Sequence, residues 1–170
     1  MLDEGKPKTE MEAKFANLCT QVLKENQLEL YDIDYYSKNH ELKVYILDPK
    51  TGSAVIEDCI RIDKALTPYF DEESWVPDQL VLEVSSPGMF RRLKTKEHFE
   101  MVVGDQICLH LKKALGESWQ EAPKKLLKAK KVIGVLKEVI GDGIQVEFVE
   151  DETTMISWDS LKKANLEPNL

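Results

Sequence analysis

Apolar residues recur along the chain at two different periods, and each change of period marks a new element. From Thr9 to Asn26, Met11, Phe15, Leu18, Val22 and Leu23 follow one another at spacings of four, three, four and one, which predicts an amphipathic helix. Thr9 and Glu12 offer a capping box at its start. Leu28 to Tyr36 alternates instead, placing Tyr31, Ile33 and Tyr35 on one side of a strand. After the turn residues Ser37 to His40, the alternation returns at Leu42, Val44 and Ile46 and stops at Asp48 to Gly52, so the two runs read as a β-hairpin. Ile56, Cys59, Ile62, Leu66, Tyr69 and Phe70 form a second helical stripe over residues 55–72, which Pro68 should kink or shorten. Leu80, Leu82 and Val84 then share one face of a third strand. The order α-β-β-α-β predicts a two-layer sandwich with both helices on one face of the sheet.

Ser85-Ser86-Pro87-Gly88 should end that strand, because Pro87 lacks a donor and Gly88 tolerates dihedrals closed to other residues. A short helix, Lys94 to Val103, follows with Phe99 and Val102 on one side, then a strand carrying Ile107, Leu109 and Leu111. Residues 114–131 show no alternation and hold Lys124, Lys125, Lys128, Lys130 and Lys131, five lysines in eight positions, so they read as an exposed basic loop. Val132–Val139 and Ile144–Val149 flank Gly141-Asp142-Gly143, a strong hairpin signal. Thr154 to Trp158 reads as another strand, and Ser160 to Ala164 as a terminal turn or short helix. So many short strands in one segment predict a small β-barrel. The chain is therefore read as an α+β protein, with a sandwich over residues 1–92 and a barrel over 93–170.

Charge sharpens this division. Over all 170 residues the net charge is −8, which suggests a protein that avoids nucleic acid. Residues 1–90 hold 18 acids and 9 bases, however, and residues 91–170 hold 13 and 14, so the halves carry −9 and +1. The acidity belongs to the first unit, which should attract a basic partner. The polar N-terminus has no apolar core of a signal peptide, and no apolar run approaches membrane-spanning length. Cys19, Cys59 and Cys108 are scattered and odd in number, as expected of a reducing cytoplasm.

No catalytic constellation emerges. His40, His98 and His110 lack metal-ligand spacing, and Ser85-Ser86-Pro87-Gly88 lacks the Gly-x-Ser-x-Gly pattern of a nucleophile elbow. Gly141-Asp142-Gly143 lacks the rest of a dinucleotide fingerprint, and no phosphate loop is present. Asp71-Glu72-Glu73 and Glu150-Asp151-Glu152 do not match a calcium loop. No metal or cofactor is expected, and the three thiols read as packed and inert.

The basic residues gather beside recognisable structure: Arg91, Arg92, Lys94 and Lys96 after the Ser-Ser-Pro-Gly turn, and the five lysines of 124–131. Both groups could meet phosphate. Leu82-Glu83-Val84-Ser85-Ser86-Pro87-Gly88-Met89-Phe90-Arg91-Arg92-Leu93 resembles the signature of the ribosome maturation factor RimP family, a Leu-Glu-Val-Ser-Ser-Pro-Gly strand and turn leading into Leu-Asp-Arg-Pro-Leu. Val44-Tyr45-Ile46, Ile56-Glu57-Asp58-Cys59 and Leu161-Lys162-Lys163-Ala164-Asn165-Leu166 extend the resemblance. It departs at Phe90-Arg91-Arg92, where Asp-Arg-Pro is usual, and at Asn165, where arginine is common.

The resemblance implies an N-terminal KH-like sandwich, a C-terminal Sm or SH3-like barrel, and a non-enzymatic cytoplasmic monomer. Its expected partners are the small (30S) ribosomal subunit or its precursor, a basic ribosomal protein near the decoding region, and small-subunit rRNA. Ser85, Ser86, Pro87, Gly88, Arg91 and Arg92 are then candidates for a hinge or partner surface, and Lys124, Lys125, Lys128, Lys130 and Lys131 for rRNA contact. The α-β-β-α-β order also suits a general RNA-binding module or chaperone, although the Gly-x-x-Gly clamp is missing. An enzyme with dispersed residues is the third class.

Overall fold

In a computed structural model that describes residues 9–169, the chain divides after Gly88 into a first and a second unit. The first contains α1 (Glu10–Glu25), β1 (Glu29–Tyr36), β2 (Glu41–Leu47), α2 (Ile56–Glu72) and β3 (Val81–Ser85). Thr9 caps α1, its hydroxyl accepting the Glu12 amide at 3.1 Å. β2 is the central strand, antiparallel to β1 and parallel to β3. A parallel neighbour requires a crossover, and α2 supplies it. Phe15, Val22 and Leu23 of α1, Leu42, Val44 and Ile46 of β2, and Ile62, Leu66 and Phe70 of α2 form one core. The Phe15 ring lies 4.9 to 5.5 Å from those of Tyr35, Phe70 and Trp75.

Two local expectations change. Leu30 pairs with Ile46 and Asp32 with Tyr45, which leaves Tyr31 as the extra residue of a β-bulge. Leu30 accordingly takes the place expected of Tyr31, packing on the core with Ile33 and Tyr35. Helix α2 also runs on past Pro68 to Glu72. Pro68 lies on the exposed side, where water can satisfy the carbonyl left without its amide.

The second unit contains α3 (Lys96–Glu100), β4 (Gln106–Leu111), α4 (Leu115–Ser118), β5 (Lys131–Ile140), β6 (Gly143–Val149), β7 (Glu152–Ser157), a 3₁₀ turn (Trp158–Ser160) and β8 (Leu161–Leu166). Its sheet has the order β7-β6-β5-β4-β8, antiparallel throughout. The barrel expectation is corrected: the sheet is open, with β7 at one edge. The far side of β8 is occupied by the segment after the signature turn. Leu166 donates its amide to the Arg91 carbonyl at 2.9 Å and Leu93 donates to Ala164 at 3.0 Å, with Arg92 opposite Asn165. β7 therefore finds no free edge on β8 with which to close a barrel.

Residues 161–164 are likewise strand rather than a terminal turn or short helix, because β8 begins at Leu161, directly after the 3₁₀ turn that ends at Ser160. His110 pairs with Lys163 and Leu111 with Leu161, so Lys162 is an extra residue. That bulge leaves the buried Leu161 and Ala164 three apart, a spacing that imitates a helix. The 114–131 segment is also more ordered than the loop expected. Leu115 is fully buried and Trp119, Leu126 and Ala129 pack on the core. Leu115 donates to Ala129 and Gly116 to Leu127, each at 2.9 Å, so the segment doubles back on itself.

The hairpin between β5 and β6 forms as expected, with Ile140 opposite Gly143. Its loop is Gly141-Asp142, and Gly143 already lies in β6. A Cβ there would overlap the Ile156 carbonyl oxygen of β7, so close backbone approach requires this glycine.

Candidate partner-binding surfaces

The signature turn begins where β3 ends. Ser85 is the last residue of β3 and faces Tyr45 of β2. The backbone of Ser86 bonds the Cys59 thiol, yet burial and then Asp58 raise that thiol's pKa overall. Gly88 has φ +85°, the left-handed region that a Cβ disfavours. No atom lies within 4 Å of where that Cβ would stand, so conformation rather than space requires glycine. The division between the two units falls directly after this residue. Ser85, Ser86, Pro87 and Gly88 thus belong to the first unit. Arg91 and Arg92 belong to the second, with their backbone fixed along β8. The departures at Arg92 and Asn165 are direct neighbours across that pairing.

Helices cover one face of the first unit's sheet, and the strand register defines the other. Asp34, Lys43 and Glu83 form one row across the three strands. Tyr36, Glu41 and Val81 form the row on one side of it, and Asp32, Tyr45 and Ser85 the row on the other. The outward face therefore presents four carboxylates around one ammonium. Lys43 lies 3.8 Å from Glu41 and 3.9 Å from Glu83, and those two carboxylates hold its pKa above the ordinary value. Its ammonium also sits over the Tyr36 ring at 5.8 Å. Burial and then Asp34 push the Tyr45 phenol up as well. Sequence reasoning counted these acids but did not place them together, because sharing a face depends on the β1-β2-β3 register.

In the second unit Lys124, Lys125, Lys128, Lys130 and Lys131 are all exposed. The apolar residues between them anchor the segment while the ammonium groups stay in solvent. The structure thus groups these five lysines on one folded segment. It places His98 elsewhere, buried, its Nδ1 accepting the Lys94 amide at 3.1 Å. Cys19 and Cys108 are buried and Cys59 partly so. Among the described residues, no three His, Cys, Asp or Glu side chains are grouped to hold a metal, and no helix is long and apolar enough to cross a membrane. The first unit thus carries an acidic sheet face and the second a group of exposed lysines.

Residues 18–90 match the family described as the RimP N-terminal domain. The match spans most of the first unit, including the outward acidic face and the Ser-Ser-Pro-Gly turn.

Proposed function

The chain belongs, through its first unit, to the RimP family of ribosome maturation factors, and from that premise we propose that it acts without catalysis in maturation of the small (30S) ribosomal subunit. The first unit, KH-like in its α-β-β-α-β order, holds a basic ribosomal protein near the decoding region. The lysines of residues 124–131 approach small-subunit rRNA, and the Ser85–Gly88 turn serves as a hinge before Arg91 and Arg92. The site of action is the cytoplasm. The observation that carries this reading is the outward sheet face, where Asp32, Asp34, Glu41 and Glu83 surround Lys43. Such a face complements a basic protein, speeds encounter by long-range attraction and makes association salt-sensitive.

Co-sedimentation with purified free small subunits tests it. Glu41→Lys with Glu83→Lys should abolish association at low salt, and Lys124, Lys125, Lys128, Lys130 and Lys131 all changed to Glu should weaken it. Unchanged association in the first variant removes the acidic face from the mechanism. Cells lacking the protein should accumulate free subunits and immature small-subunit rRNA, and normal profiles would refute the maturation role itself.

A further inference from the structure

We propose that the outward face of β5, β4 and β8 extends the lysine segment of residues 124–131 into a built RNA site, in which Lys131, Lys162 and Lys163 surround His110 and take the phosphate backbone of RNA. The inference rests on the ribosomal reading above and adds to it a place on the fold. His110 of β4 stands opposite Lys131 of β5 and Lys163 of β8. Opposite residues bring their Cβ atoms to about 5 Å, so three basic side chains form one row across three strands. The bulge at Lys162 adds a fourth beside it. Leu109, Leu111, Val132 and Ala164, the alternate positions, lie in the core, so this row faces away from it.

Two backbone bonds lengthen the cluster. Leu111 donates to the Lys130 carbonyl at 2.7 Å and Lys112 to the Ser160 carbonyl at 2.9 Å, bringing Lys112 and Lys130 to the same end of the sheet. Lys113 and Lys137 are ion-paired, with Glu117 and Glu147; no such pair involves Lys112, Lys130, Lys131, Lys162 or Lys163 among the described residues. Meanwhile Glu138, Glu147, Glu150, Asp151 and Glu152 lie along β5, β6, β7 and their turn. The +1 of residues 91–170 is therefore a balance of many acids and bases rather than an uncharged surface.

Like charges set directly across strands repel, and the lysines of this row hold no ion pair among the described residues, although the Glu167 carboxylate reaches Asn165 of β8 at 3.4 Å. Burial first, then Lys163, Lys131 and Lys162, hold the His110 imidazole below its usual 6.5. Cys108 on the same strand, its sulfur 3.9 Å from Nε2, is a further titratable neighbour, and Glu167 acts in turn on that thiol. A polyanion relieves this repulsion and releases its own counterions. Along the chain the cations continue from Lys131 and Lys130 to the exposed Lys128, Lys125 and Lys124, a run suited to a polymer backbone rather than a single carboxylate. Bound phosphate favours the imidazolium, so binding takes up a proton.

The test uses the full chain and a fluorescently labelled 12-nucleotide uridine RNA, followed by anisotropy. Lys162→Glu with Lys163→Glu should lower affinity at least tenfold at low salt. It should also reduce the slope of log affinity against log salt by about 1 to 1.5, from the roughly 0.7 lost per single-strand phosphate contact. Wild-type affinity should rise as pH falls through the region of 6.5 and below, and His110→Gln should lose that rise. Should the charge reversal fail to melt like wild type, Lys162→Gln with Lys163→Gln replaces it. Unchanged RNA affinity in the double variant overturns the site, as does equal or tighter binding of poly-glutamate, which would mark an acidic protein instead. Small-subunit co-sedimentation of the same variants is read separately. Lost oligonucleotide binding supports this face whether or not sedimentation persists, and retained binding overturns the face while leaving the maturation reading to its own assay.

Discussion

Gly88 gives the sharpest test of what the signature turn does. Its φ of +85° disfavours any L side chain by about 1 to 2 kcal/mol, and a β-branched one lies at the upper end. Because nothing stands within 4 Å of the missing Cβ, no clash adds to that strain. The substituted chain also loses some freedom when unfolded, which offsets about 0.4 to 1 kcal/mol. Gly88→Val should therefore destabilise by about 1 kcal/mol, while Gly88→Ala should lie nearer zero. For a unit of this size 1 kcal/mol corresponds to roughly 4 to 8 °C in melting temperature. Differential scanning calorimetry on the full chain reads this directly, alongside small-subunit co-sedimentation. If the turn is structural, association should fall only as far as stability does. A Gly88→Val protein that melts like wild type but no longer associates would refute the reasoning and make the turn a contact surface.

Gly143→Ala places a methyl against the Ile156 carbonyl and should destabilise the second unit by about 1 to 3 kcal/mol, read as a lowered melting transition; an unchanged one would contradict the close approach. Cys19, whose thiol burial pushes up to about 12, should react with Ellman's reagent only on unfolding, while the partly exposed Cys59 reacts first; equal rates would count against both placements. His110 is easier to protonate unfolded than folded, so its contribution is fully retained above its unfolded value near 6.5 and lost as pH falls through it toward the lower folded value. Urea titrations from pH 7.5 to 5 should show a steeper decline for wild type than for His110→Gln, and a shallower one would reverse the sign argued here.

Where periodicity and packing agree, the chain announces its fold. Leu42, Val44 and Ile46, or Phe15, Val22 and Leu23, have little choice of face once buried. The misread places share one cause, an extra residue in a strand. A bulge at Tyr31 moves Leu30 onto the core, and one at Lys162 disguises a strand as a helical turn. Barrel closure was equally invisible, since it depends on whether residues 91–93 take the outer side of β8. The lysines of 124–131 were legible as a cluster because they are contiguous. The acidic rows around Lys43 and the basic row through His110 were not, because each draws one residue from each of three strands and exists only in a particular register.

The seating of β8 between β4 and residues 91–93 has a consequence for synthesis. Every strand of the first unit has been made by Ser85, so that unit can fold while the rest of the chain is still emerging. The sheet of the second unit instead joins residues 91–93 to 164–166, a loop closure spanning almost its whole length and an intrinsically slow step. A nascent chain thus acquires its acidic surface early, and the basic row through Lys163 comes into being only when the last strand arrives.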